Sequence, residues 1–123
     1  MDFKRFFGQY IQAVEGKNLE ALRRFIPEKD RISAVLQDGT VLEGAKDFLE
    51  FHKEWFSDSG WSIKHDIVTI EETDEMSYVL VEASYFAKDD GKPYHIGMHN
   101  TYIMRKVDSK WLLVHMQQTE MEE

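Results

Sequence analysis

The chain contains no cysteine, which excludes disulfide scaffolds, thiol nucleophiles and cysteine-ligated metals. Proline occurs twice, and the seven glycines form neither a repeat nor a phosphate-cradling motif. No apolar run approaches the ~18 to 20 residues of a membrane span, and the N-terminus lacks a signal-peptide core. Positive charge is scarce: 15 basic against 23 acidic side chains leave a net charge of −8. That balance opposes a broad nucleic-acid footprint, because phosphate contacts need clustered Lys and Arg. These deficits predict a cytoplasmic chain with neither a nucleic-acid nor a membrane partner.

What is present is apolar and aromatic. The 123 residues are 42% hydrophobic and 13% aromatic, too apolar for a disordered chain and enough for one domain with one core. The expectation is a single domain over residues 1–119, followed by a solvated acidic tip at 120–123.

Phe3, Phe6, Phe7, Tyr10, Ile11 and Val14 recur at the spacing of a helix with one buried stripe. Gly16 is suited to end that helix in a left-handed conformation, and Asn18 to cap a second one running to Ile26 before Pro27. Arg31 to Gln37 reads as a short strand, Asp38-Gly39 as a hairpin turn and Thr40 to Leu42 as the return. A third helix is predicted over Ala45 to Phe56. The second half changes character. Trp61 to Glu71, Met76 to Ala87, Tyr94 to Lys106 and Trp111 to Thr119 are long segments rich in β-branched and aromatic residues. Short polar connections between them predict an antiparallel meander. Helices first and strands later make an α+β domain.

This order resembles the nuclear-transport-factor-2-like superfamily, and three strings carry the resemblance. Ala13 to Leu22 resembles the family's junction between its first two helices, and Asp38-Gly39-Thr40-Val41-Leu42-Glu43-Gly44 its hairpin into the third. Lys110 to Thr119 is similar to the last strand of SnoaL-like proteins and of the calcium/calmodulin-dependent kinase association domain. The resemblance implies a cone: a curved mixed, mostly antiparallel sheet with three helices of the N-terminal half on its concave face. It also implies a pocket between that face and the first and third helices, and commonly a homodimer through the sheet. Aligning the last strand with the kinase association domain puts Gln118 where that family carries a pocket arginine, with Tyr102 and Val81 at two other such positions.

Strand alternation sorts the side chains further. In the last strand Leu112, Val114, Met116 and Gln118 share one face, and in the strand before it Ile96, Met98, Asn100, Tyr102 and Met104 do. The pocket candidates are Tyr85, Met98, Asn100, Tyr102, Met116 and Gln118, joined by Tyr10 and by His52 or Trp55 from the helices. The partner expected there is a small, largely apolar molecule. The alternatives are an isomerase, cyclase or hydrolase using the same pocket, or a homodimerisation module whose pocket is vestigial.

An isomerase needs a carboxylate base near the cavity and an acid or phenol to hold the developing oxyanion. Tyr10 offers the phenol. Ketosteroid isomerases place the base on the first strand, where this chain has Ala34, Val35 and Leu36, and no Asp or Glu lies between Gly91 and Val107. Asp66 and Glu82 remain as bases, with His52, His65, His95, His99 and His115 as substitutes. His95 and His99 on one strand are separated by roughly 13 Å, too far for one metal ion, so neither a metal nor a cofactor is expected. His99 and His115 are expected to meet across adjacent strands on the face away from the pocket. Nucleophile elbows are missing, and the catalytic residues stay unassigned.

Overall fold

The computed structural model describes residues 2–28 and 31–121. Helix α1 (Phe3–Glu15) begins where the Asp2 carboxylate accepts the Arg5 N–H at 2.8 Å, giving a partner to one orphan donor of the first turn. Its buried stripe is Phe3, Phe7, Tyr10, Ala13 and Val14. Gly16 does not take the expected left-handed conformation: its φ is −87°, and Lys17 turns left-handed instead at φ 54°. A Cβ at Gly16 would sit 3.1 Å from the Gln12 carbonyl oxygen, so the turn uses the residue's small size.

Helix α2 (Leu19–Arg23) is capped by the Asn18 side chain, which accepts the Ala21 N–H at 3.1 Å. It stops short of Ile26. Phe25 and Ile26 instead bond back to Leu22 and Arg23 in tighter turns, at 3.0 and 3.2 Å, and the Phe25 carbonyl accepts the Leu113 N–H at 2.8 Å. That bond to a distant strand diverts the chain from the helical path.

Strands β1 (Ser33–Val35) and β2 (Val41–Glu43) form the small hairpin, with Gly39 at φ 89° in its turn. Helix α3 (Gly44–Ser57) follows directly, and β3 (Ser62–Glu72), β4 (Met76–Asp89), β5 (Lys92–Val107) and β6 (Lys110–Glu120) make the long meander. The sheet order is β2-β1-β6-β5-β4-β3, antiparallel throughout except for β1 beside β6. The result is the expected α+β architecture, a six-stranded open sheet with three helices. Glu120 belongs to β6, and the Met121 N–H bonds the Gly97 carbonyl at 2.8 Å; of the predicted acidic tip, residues 122–123 lie outside the described residues.

One face of the sheet is covered. It carries Val79, Val81 and Ala83 of β4, Met98, Asn100, Tyr102 and Met104 of β5, and Met116 of β6, all buried. Alternation fails in β6, because the pairing slips between Ile103–His115 and Met104–Leu113 and leaves Val114 as an extra residue. Met116 and Gln118 keep the predicted face. Leu112 and Val114 do not; Trp111 and Leu113 are buried there instead. The slip is what brings Trp111 to Phe3, with ring centroids 4.9 Å apart. Among the described residues no helix is long and apolar enough to cross a membrane.

Candidate functional site

Helix α1 fills one half of the covered face. Phe7 and Tyr10 meet Tyr102 at centroid distances of 5.2 and 5.4 Å, and Tyr10 meets Phe25 at 5.6 Å. The other half, toward the β4–β5 turn, retains a cavity of about 190 Å³. Trp55 of α3, Tyr85 of β4, Met98 of β5 and Gln118 of β6 border it. Tyr94 and Ile96 extend the β5 wall, and Leu36, Gln37 and Asp38 of the hairpin close the side.

Local contacts fix this wall. The Trp55 indole stacks on Trp61 at 4.0 Å, and the Trp61 Nε1–H donates to the Trp55 carbonyl at 2.8 Å. The Lys17 ammonium caps the stack, 4.1 Å from the Trp61 ring, and donates to the Asp58 carbonyl at 3.0 Å. Gln118 Oε1 accepts the Gln37 N–H at 3.3 Å, tying hairpin to sheet. Asp38 accepts the Thr40 N–H at 2.9 Å, and that bond holds its carboxyl below the usual carboxylate range. Burial pushes the Tyr85 phenol up, opposed by a hydrogen bond with Trp55.

Of the residues predicted from the sequence, Trp55, Tyr85, Met98 and Gln118 come together around the cavity. Tyr10, His52, Asn100, Tyr102 and Met116 lie in the packed interior. The reason is volume: the aromatic side chains of α1 occupy the hollow over Tyr102, so α1 contributes no cavity wall. Asn100 is fully buried directly opposite Gln118; its Nδ2 donates to the Tyr102 hydroxyl at 3.2 Å, while its Oδ1 has no hydrogen-bond partner among the described residues. Burial pushes the Tyr102 phenol up to about 12 and that of Tyr10 higher than usual, with Tyr102 adding to the latter, so both stay protonated.

Sequence reasoning passed over Leu36, Gln37, Asp38, Tyr94 and Ile96. Tyr94 and Ile96 share the face of Met98 by alternation. The hairpin residues were hidden, because only the parallel pairing of β1 with β6, Val35 opposite Gln117, brings the turn to this place.

The proposed bases sit elsewhere. Glu82 faces outward, 3.5 Å from His99, and Asp66 is exposed. Glu15 Oε2 accepts both the backbone N–H and the Nδ1–H of His65 at 2.9 Å, a strap between α1 and β3; burial lowers the His65 pKa against the pull of Glu15. The expected meeting of His99 and His115 does not occur: His99 opposes Thr119, and His115 opposes Ile103 and bonds Ser33 at 2.8 Å. Among the described residues no group of three His, Asp or Glu is arranged to hold a metal ion.

A family model, the SnoaL-like domain, matches residues 4–120. The chain belongs to the SnoaL-like family. Solved structures named for the nuclear-transport-factor-2-like superfamily and its relatives share the fold of this SnoaL-like domain. One, from Thiobacillus denitrificans, is a candidate calcium/calmodulin-dependent protein kinase type II association domain; it is 13% identical with a TM-score of 0.81, over 98% of this chain and 95% of that one. A superfamily member from Salmonella enterica is 13% identical, with a TM-score of 0.80 over 97% and 88% of the two chains. A ketosteroid isomerase-like protein from Erwinia carotovora is 10% identical, with a TM-score of 0.78 over 98% and 94%. At these identities the likeness speaks for the fold alone. No curated protein matches the sequence.

His52 of this SnoaL-like domain provides a pH signature. It is buried with its Nδ1–H donating to the Phe48 carbonyl at 2.8 Å and Phe48 stacked 4.2 Å away, and burial lowers its pKa from 6.5 to about 4. The unfolded chain therefore binds the proton first, so stability is complete above pH 6.5 and falls as pH drops toward 4. The loss attributable to this group is on the order of 3 kcal/mol. Urea denaturation across that range is expected to show His52→Phe losing correspondingly less stability than wild type; parallel curves would contradict the assignment.

Proposed function

We propose that this domain binds a small, largely apolar molecule in the cavity between the sheet, α3 and the β1–β2 hairpin. One observation carries the reading. A half-open cavity of about 190 Å³ lies against the covered sheet face, and its lining mixes aromatic and aliphatic side chains with polar groups in about equal measure. The volume matches a ligand of about one ring, since a cavity of ~150 Å³ accommodates benzene. Binding is favoured over proton abstraction because the carboxylate bordering the cavity, Asp38, is exposed and held acidic, which makes it a weak base. A cytoplasmic setting belongs to the same reading and rests on composition. In a thermal-shift screen of small metabolites, a hit should bind Tyr85→Ala and Gln118→Ala roughly five- to tenfold more weakly than wild type. A hit whose affinity both variants retain would refute this site.

A second reading, compatible with the first, is homodimerisation through the outward sheet face. Met76, Tyr78, Val68 and Phe86 are exposed there, and Tyr78 lies directly opposite half-buried Ile103. An apolar surface of this kind is a standard site for a self-complementary two-fold contact. Light scattering should give the mass of a dimer, and Tyr78→Lys the mass of a monomer. A wild-type monomer, or a dimer indifferent to that substitution, would remove this reading.

A further inference from the structure

We infer that the cavity selects small organic cations, an ammonium carrying apolar substituents, over neutral or anionic molecules of the same shape. The inference rests on reading the cavity as a ligand site and names the ligand's charge. Among the described residues its lining contains no Lys, Arg or His. It contains three aromatic rings in series: Trp55 and Tyr85 are 6.3 Å apart by centroid, and Tyr85 and Tyr94 again 6.3 Å. Ring faces carry the negative part of an aromatic quadrupole and attract a cation within about 6 Å.

The same aromatic cluster already accepts an ammonium from the protein. Lys17 Nζ lies over Trp61, which stacks on Trp55, and the Asp58 carbonyl holds that lysine on the outer side. Neither Lys17 nor Lys92, two residues before Tyr94, borders the cavity. Negative charge does border it. Asp38 borders the opening and keeps its charge through the Thr40 bond, Asp58 lies close enough to Tyr85 to act on its phenol, and Glu120 is the cross-strand partner of Met98. An anion entering here would face the Asp38 carboxylate and ring faces, with no cationic side chain among the described lining residues to compensate. A neutral molecule would pack against the rings but gain no charge attraction from them or from the carboxylates. The chain's net charge of −8 draws cations toward the protein from a distance.

The test titrates the full chain, by calorimetry and tryptophan fluorescence, with three probes of one shape. These are choline, its neutral carbon isostere with tert-butyl in place of trimethylammonium, and the anion tert-butylacetate. Choline should bind roughly tenfold more tightly than the alcohol, and the anion most weakly. Asp38→Asn, an exposed and conservative change, should lower choline affinity several-fold and leave the alcohol unaffected; Trp55→Leu should weaken both. The inference is overturned if the alcohol or the anion binds as well as choline, if no probe binds, or if Asp38→Asn leaves choline unaffected. If the alcohol binds equally and Trp55→Leu abolishes that binding, the charge preference alone fails and the ligand site stands. If no probe binds, the metabolite screen with Tyr85→Ala and Gln118→Ala decides the site independently.

Discussion

The structure depends on how far the aromatic stripe of α1 reaches along the hollow of the sheet. Phe3, Phe7 and Tyr10 are buried against Trp111 and Tyr102, and together they fill the hollow at that end. Large rings are needed because a strongly curved sheet leaves more space under a helix than aliphatic side chains can occupy. The stripe ends near Val14, and the helix with it, at Glu15. Beyond that point α3 and the hairpin roof the sheet from its rim, leaving room between Trp55 and Gln118.

The two halves of one sheet face therefore differ in chemistry. Where α1 sits, polar groups are few: the Tyr102 hydroxyl accepts from Asn100, whose Oδ1 has no partner among the described residues, and burial keeps the phenols of Tyr10 and Tyr102 protonated. Where α1 is absent, polar tips meet an aromatic wall braced by the Trp55–Trp61 stack and by Lys17. The charged group that borders the cavity is Asp38, while Lys17 sits over Trp61. Binding chemistry at the open end needs no change at the filled end, which is how a shared fold hosts different ligands.

The sequence made much of this legible, for local reasons. Helical spacing in Phe3 to Val14, the Asn18 cap, the Asp38-Gly39 turn and four long strands are short-range signals, and all are realised. Alternation put Met98, Asn100 and Tyr102 on one face correctly. It could not tell that buried Met98 borders a cavity while Tyr102 meets α1, because that depends on where a distant helix lies. The slip at Val114 was equally invisible, since no local residue type demands it, and it exchanged Leu112 for Leu113 and Trp111 on the covered face. Asp38 is a turn residue by its sequence and in the fold; its second position, at the cavity, arises from the β1–β6 pairing.

The most direct test of this division enlarges a methionine at each end of β5. Met98 borders the cavity, and Met104 is fully buried in the filled half. By chemical denaturation, Met98→Phe should stay within about 1 kcal/mol of wild type because the ring has space to enter, while Met104→Phe should lose about 1–3 kcal/mol through overpacking. Equal losses at the two positions, or a greater loss at Met98, would show that no cavity distinguishes the two halves.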